Sequence, residues 1–283
     1  MNLSVVIPSY NGRELLAQNL PAVIATHPDE IIIVDDGSTD DTVDFLKHYF
    51  PRVILLALPH NQGFVTAVNR GVAQAQGDIV VLFNNDVSPH PDCLSPLARH
   101  FQDPQLFSVG FLEHSSLGQR GKSRGFWHQG LVQHAPALDL KLGDTLWTFA
   151  ASAAYRKSMW HKLGGLDRLF RPAYWEDLDL SYRAHKAGLK VIFDPACQVE
   201  HEAESTMKSI LGNKMASISY KNQLLFVWKN ITSLKLIISH LIWLPYHLAR
   251  NPIAFFLALV QLPEALISRF KHPPYTVSDE TIL

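Results

Sequence analysis

Charge and cysteine are both scarce in this chain. Asp, Glu, Lys and Arg make up 18% of its 283 residues, below the ~25% usual in a soluble domain. Hydrophobic residues make up 47%, so a large core is available. The two cysteines, Cys93 and Cys197, are too few for a disulfide scaffold and stand in no zinc-binding spacing. They are expected as reduced, structural thiols of a cytosolic protein. No basic leader precedes the first apolar run, so no secretory signal is expected. No apolar run reaches the ~18–20 uninterrupted residues of a confident membrane span. The turn Pro8-Ser9-Tyr10-Asn11-Gly12 lacks the Gly-X-Gly-X-X-Gly spacing that a dinucleotide-dependent oxidoreductase needs, and no P-loop lysine motif occurs. Internal repeats and low-complexity tracts are absent as well.

What is present is a pair of apolar runs that end in acids. Residues 31–34 lead into Asp35-Asp36-Gly37-Ser38, and residues 79–83 lead into Asn84-Asn85-Asp86. Unbroken runs of branched and aromatic side chains read as strands buried on both faces, which is the parallel-sheet pattern. In open α/β sheets, ligands bind just beyond the carboxyl ends of such strands. Three Asp side chains are therefore expected at a binding rim. They suit a cation and a hydrogen-bonded nucleoside better than a bare phosphate.

Strands are expected at 3–7, 30–34, 53–57 and 79–83. Helices are expected at 13–25, from Ser38 to Tyr49, and at 63–75. Ser38 followed by Asp41 reads as a helix cap. Val65, Val68 and Val72 lie at helical spacing, and Gly77 is expected to close that helix. The alternation argues for a doubly wound parallel sheet in the front of the chain. Residues 113–130 break the pattern, and Gly118 to Gly125 read as a flexible basic loop. Arg120, Lys122 and Arg124 in it suit a diphosphate or a phosphorylated acceptor, or simply solvent. Helices at 156–163 and 176–187, ended by Gly164-Gly165 and Gly188, precede a short strand at 190–193.

Asp35 stands where a carboxylate can accept a hydrogen bond from the N3–H of uracil or thymine. A plain capping turn explains the same Asp, Gly and Ser. Asp86 can hold Mg²⁺ or Mn²⁺, hard cations that take oxygen ligands and bridge to substrate phosphates, or it can close an Asx turn. Glu176 and Asp177 open a helix, whose dipole favours ionised carboxylates there. Asp179 and Arg183, four apart, are expected to pair on the helix face. Trp127 and Trp147 suit sugar stacking or the core.

Together these pieces resemble the family 2 inverting glycosyltransferases of the GT-A fold. The likeness rests on Ser4 to Asn11, Ile33 to Asp40, Asn61-Gln62-Gly63-Phe64, Asn69-Arg70-Gly71, and Gly77 to Asp86. It covers residues 3–206. Asn84-Asn85-Asp86 with Glu176-Asp177-Leu178-Asp179-Leu180 is most similar to a rhamnosyltransferase-like bacterial branch, which makes cell-surface polysaccharide. The resemblance implies an α/β fold, Rossmann-like, with a mostly parallel sheet and helices on both faces. It implies transfer from a nucleotide-diphosphate sugar, dTDP-rhamnose or a UDP-sugar, to a hydroxyl of a glycan or polyprenyl-linked acceptor. Nucleic acid is not an implied partner.

Residue by residue, the resemblance lays the nucleotide sugar along Pro8, Tyr10, Asn11, Asp35, Asp36, Gly37, Ser38, Asn69, Asn84 and Asn85. Asn84 replaces the first acid of the family's Asp-X-Asp motif, so Asp86 and His201 would hold the divalent metal, and imidazole favours Mn²⁺. Trp175 would meet the acceptor. Asp177 takes the position of the general base, with Glu176 as its rival or as an acceptor-orienting group. A catalytically silent binding subunit of the same fold is the alternative, and retention of all the carboxylates argues against it.

The chain divides by charge. Residues 207–272 carry a net charge of +7, against −6 for residues 1–206 and −2 for the last eleven. That basic stretch holds apolar segments at 224–228, 234–248 and 253–262, flanked by Lys208, Lys214, Lys221, Lys229 and Lys235. Apolar helices with basic flanks read as lying in an anionic membrane surface; a core-packed cap, a dimer interface or a spanning hairpin are the alternatives. The expected organisation is a nucleotide-sugar half (1–112), an acceptor half (113–206) and a helical membrane-associated extension (207–283). The enzyme would then work peripherally at the cytoplasmic face of the membrane.

Overall fold

The computed structural model describes residues 1–201, 212–271 and 275–283. The front of the chain alternates β1 (Leu3–Ser9), α1 (Arg13–Ala25), β2 (Glu30–Asp35), α2 (Thr42–Tyr49), β3 (Ile54–Ala57), α3 (Phe64–Gln74) and β4 (Ile79–Phe83), as the sequence pattern predicts. These strands pair in parallel in the order β4-β1-β2-β3. Successive side chains of β1 point to opposite faces. Val5 and Ile7 pack with Leu16, Leu20 and Val23 of α1, while Val6 packs with Val65, Val68 and Val72 of α3. Pro8 is tolerated inside β1 because the pairing with β4 stops at Val6, so its missing N–H is not needed there.

Two local expectations fail. Ser38 does not cap α2, because its hydroxyl bonds to Asp35 instead and the helix begins at Thr42. Gly77 does not close α3, which ends at Gln74. A Cβ on Gly77 would sit 2.6 Å from Ser4 Oγ, so close approach to β1 demands glycine there.

The second half makes the sheet mixed rather than mostly parallel. It adds β5 (Val87–Pro89), α4 (Leu97–His100), β6 (Leu106–Ser115), β7 (Gly118–Arg120), β8 (Ser123–His128), β9 (Leu131–Pro136), β10 (Gly143–Asp144), β11 (Ser152–Arg156), α5 (Lys157–Leu163), α6 (Glu176–Lys186) and β12 (Lys190–His201). Strand β11 is antiparallel to both β4 and β6, and β12 runs parallel to β6. Residues 118–125 are not a free loop: β7 folds back on β6, and β8 pairs with β9 in a separate hairpin. The strand expected at 190–193 continues to His201.

Among the described residues there follow α7 (Met215–Asn230), α8 (Leu234–Arg250), α9 (Pro252–Val260) and α10 (Leu262–Arg269), then a short α11 (Asp279–Ile282). Helix α7 is core, not surface. Leu224, Leu225, Phe226 and Val227 are buried against Trp175, Leu178 and Tyr182. Lys221 and Lys229 are buried too, so neither is a free cation at a membrane. Lys208 lies outside the described residues.

Candidate active site

The carboxyl ends of β1, β2 and β4 form one rim, and most of its polar groups brace one another. Asp35 accepts from the Ser38 N–H at 3.1 Å and from the Ser38 hydroxyl. Asp36 accepts from the N–H groups of Gln62 and Gly63, both at 2.8 Å. Burial raises the Asp36 pKa, and those two bonds only partly offset it. Asn11 donates its N–H to Ser38 Oγ and accepts from the Thr39 N–H, each at 2.8 Å. Gly37 has φ +72°, and a Cβ on it would meet the His60 backbone at 2.4 Å. Tyr10 beside them is half-buried. The predicted nucleotide residues of this rim are therefore together, held rigidly.

Three of the predicted residues have their side chains engaged within the fold. Both ends of the Asn69 amide are taken by the Leu166 backbone, at 2.8 and 3.0 Å. It clasps α3 to the loop after α5. Asn85 donates to Ser9 Oγ at 3.0 Å and ties β4 to β1. Pro8 is buried within the sheet.

Asp86 and His201 meet as the sequence comparison implies. Strand β12 pairs with β5 so that His201 lies opposite Val87, which sets its ring beside Asp86. His201 Nε2 is 3.2 Å from Asp86 Oδ1, and Nδ1 is 3.1 Å from Glu113 Oε2. Glu113 also accepts from Arg120 Nε at 2.6 Å. Burial alone would lower the His201 pKa. The two flanking carboxylates outweigh it and raise the value to about 9. Burial alone would raise Glu113, and the bonds from His201 and Arg120 bring it below its ordinary value.

The pair fits a divalent cation that takes the place of the imidazolium proton, since only the neutral ring coordinates. Adjacent ligand atoms around an octahedral Mg²⁺-sized ion stand about 3 Å apart, close to the Nε2–Oδ1 separation found. Asn84 Oδ1, buried near them, has no hydrogen-bond partner among the described residues. No three His, Cys, Asp or Glu side chains converge to hold an ion by themselves among the described residues. A cation here would take its remaining ligands from substrate oxygens and water.

Glu176 and Asp177 are presented by a strained turn. Tyr174 and Trp175, neither glycine, have φ +74° and +78°, a left-handed conformation that costs roughly 1–3 kcal/mol each. The buried Asn222 of α7 holds that turn by donating to the carbonyls of Phe170, Ala173 and Tyr174 at 2.8–2.9 Å. The helix dipole does not keep these acids at ordinary pKa values, because desolvation is larger. Burial, reinforced by the charge of Asp177, pushes Glu176 up to about 8. Burial pushes Asp177 up to about 6, against backbone bonds that lower it. Glu176 Oε2 has no partner among the described residues. Asp179 and Arg183 pair as expected, at 2.7 Å, but in the core rather than on an exposed face.

A cavity of about 560 Å³ has Asn84, Arg120, Trp147, Trp175, Glu176, Asp177 and His201 in its wall; Asp35, Asp36 and Asp86 lie outside that lining. His134 stands edge-on to Trp147 and Trp175, at 4.6 and 5.8 Å between ring centres. Lys122 in the same wall is tied to Asp139 at 2.9 Å. Trp127 instead donates to Ser239 at 3.1 Å and does not line the cavity. Glu113 and Asn222 are the contributors that the sequence reading missed. Glu113 ends residues 106–112, a stretch that Ser108 and Gly110 interrupt, so it gives a weaker form of the signal that marks β2 and β4. Asn222 carries no signal, since its partners lie about fifty residues away in sequence.

Comparison with known proteins places the family and the fold. The profile of glycosyl transferase family 2 matches residues 4–164. An uncharacterized glycosyltransferase of Nostoc is 32% identical over 62% of this chain and 56% of its own length, so the chain spans about half of that relative. The N-acetylglucosaminyl-diphospho-decaprenol L-rhamnosyltransferase of Mycobacterium tuberculosis is 28% identical over 72% of this chain and 77% of its own. The crystal structure of GalNAc-T7 with UDP, GalNAc and Mn²⁺ superposes with a TM-score of 0.70 at 18% identity, covering 96% of this chain and 55% of that one. The fold is thus the GT-A fold expected from the sequence. With the family profile spanning more than half of its length, the chain belongs to glycosyl transferase family 2.

Proposed function

We propose that this chain transfers a sugar, with inversion, from a nucleotide-diphosphate sugar to a hydroxyl of a glycan or polyprenyl-linked acceptor. The observation that carries the proposal is one cavity holding Asp177, Glu176, His201 and Asn84 together. Burial raises both acids, Glu176 further than Asp177, and unequal shifts are how a site separates proton roles. Near neutral pH Asp177 is ionised and Glu176 is protonated. Asp177 then takes the acceptor hydroxyl proton, and protonated Glu176 can donate a hydrogen bond to an acceptor oxygen. The acceptor oxygen forms its bond to the anomeric carbon as the bond to the diphosphate breaks, and the diphosphate leaves with the electron pair. No acid is needed for that leaving group. Asp86, His201 and Asn84 would hold a divalent cation, Mn²⁺ or Mg²⁺, which when bound neutralises the departing charge. Arg120 lies at the same wall.

The rhamnosyltransferase relative favours dTDP-rhamnose and a lipid-linked acceptor. A soluble nucleotide sugar and a lipid-linked acceptor meet at the cytoplasmic face of a membrane, where the enzyme would be peripheral. The test is a thermal-shift screen of dTDP-rhamnose and UDP-sugars with and without Mn²⁺, followed by NMR of the product's anomeric configuration. Stabilisation by one nucleotide sugar and an inverted product support the reading. A retained configuration removes the single-displacement chemistry. Absence of any nucleotide-sugar shift removes the donor.

A further inference from the structure

The outer layer formed by α8, α9 and α10 has an unusual polarity. Helix α8 exposes Leu234, Ile238, Leu241 and Ile242, spaced by four and three residues. Helix α9 exposes Ile253, Phe256, Leu257 and Val260, and α10 exposes Leu266 and Ile267, with Phe270 exposed just past its end. Each outward stripe follows the helical repeat, so three consecutive helices turn apolar faces to the outside. Their inner faces are buried: Ala254, Phe255 and Ala258 of α9 and Ala265 of α10 are covered where both helices pack on α7.

Charge decides what covers this face. Two stripes run into a cation four residues on: Tyr246 into Arg250, whose guanidinium lies 5.8 Å from that ring, and Ile267 into Lys271. Residues 234–271 hold Lys235, Arg250 and Lys271 against one acid, Glu264, while Arg269 turns inward to the Trp228 carbonyl at 3.0 Å. A second copy of the same face would bring like charges together. An anionic bilayer complements both the cations and the apolar stripes. No single helix among the described residues is long and apolar enough to cross a membrane; α9 and α10 together have the length and composition, but they are bent by 55° at their junction and both pack on α7. Helices with one side on protein and one side bare lie on a bilayer.

We propose that α8, α9 and α10 form a docking face for an anionic lipid surface, and that this face carries one wall of the cavity. The inner side of α8 grips the β8–β9 turn. His240 Nδ1 donates to Gly130 O at 2.7 Å, and His247 Nε2 donates to Gln129 O at 2.8 Å. Each ring is left neutral, and its other nitrogen accepts, from Trp228 Nε1 at 2.8 Å and from Tyr220 OH at 2.6 Å. The same hairpin supplies Ser123, His134 and Pro136 to the cavity. An amphiphilic acceptor with a phosphate-bearing head group would thus reach a cavity whose wall is fastened to the lipid-facing helix. The identity of the acceptor rests on the transfer reading above; the docking does not.

The test is flotation of the full chain with vesicles of phosphatidylcholine alone and of phosphatidylcholine mixed with phosphatidylglycerol. The expected result is binding to the anionic vesicles and little to the neutral ones. Ile242→Asp with Phe256→Asp should weaken that binding roughly tenfold or more. Lys235→Glu with Arg250→Glu should abolish the preference for anionic lipid. Both variants should keep the wild-type melting temperature and the wild-type shift with nucleotide sugar. Wild-type protein that ignores anionic vesicles overturns the proposal. So does sedimentation that finds a dimer split by the same aspartates, because a second copy then covers the face. Neither outcome touches the transfer chemistry, which is read on a water-soluble acceptor.

Discussion

Glu113 holds His201 from behind: its Oε2 lies 3.1 Å from the ring's Nδ1, and Nε2 on the far side faces Asp86. A buried carboxylate in that position fixes the ring's orientation and raises its basicity. Glu113→Ala is expected to weaken Mn²⁺ binding roughly 10–100-fold, measured by calorimetry with the nucleoside diphosphate present. Glu113→Gln, which keeps an acceptor for Nδ1–H, should recover part of the loss. Wild-type Mn²⁺ affinity in the alanine variant would detach Glu113 from any metal role.

Asp177→Asn tests the base. Transfer should fall by ~10²–10⁴-fold, while the thermal shift given by the nucleotide sugar stays. The wild-type rate should also fall on the acid side of about pH 6, where burial has placed the Asp177 carboxyl. A base works ionised, so activity is present above that value and lost below it. A rate that is flat down to the ordinary carboxylate range would exclude Asp177 as the proton acceptor.

Glu176 offers a test through stability. Its folded-state pKa is raised from 4.5 to about 8, chiefly by burial. A group raised in this way favours the folded state at low pH and loses that contribution as pH climbs through the folded value. Glu176→Gln removes the ionisation. The variant should melt above wild type beyond about pH 8 and close to it below pH 4.5. Parallel melting curves over the whole range would mean that Glu176 is not desolvated.

The sequence predicted the front half well because its strands are buried on both faces and its helices are amphipathic. Runs such as residues 31–34 and 79–83 leave little choice of structure. The back half is less legible for a physical reason. Strand β7 is three exposed residues, and β8 alternates exposed and covered positions around Gly125, so glycine and charge there look like a loop. The cations of α7 misled in the same way. Lys229 reads as a basic flank, yet its partners Asp167 and Asp179 lie 62 and 50 residues away. Of the site, the rim acids and the Glu176-Asp177 pair were legible as motifs. The roles of Asn69 and Asn85 as struts appear only once Leu166 and Ser9 are beside them.

Lys229 also makes the last prediction. Its ammonium, fully buried, reaches Asp167 at 2.6 Å and Asp179 at 2.8 Å, and Asn230 donates to Asp179 Oδ1 at 2.8 Å. Asp179 belongs to α6, two residues beyond Asp177, so α7 clamps the helix that presents the proposed base. Removing one partner of a buried ion pair leaves charge without compensation and typically costs about 3–5 kcal/mol. Lys229→Met is expected to lower the denaturant midpoint accordingly, with little change in the slope of the transition. Burial alone would raise the two aspartates; their cations outweigh it and hold both below the ordinary 3.8. Carboxylates shifted down stabilise the fold above their unfolded pKa and stop doing so as pH falls. The gap between variant and wild type should therefore narrow in acid. A midpoint equal to wild type at neutral pH would mean that α7 does not brace α6 through this lysine, and that the strained turn before Glu176 is held by Asn222 alone.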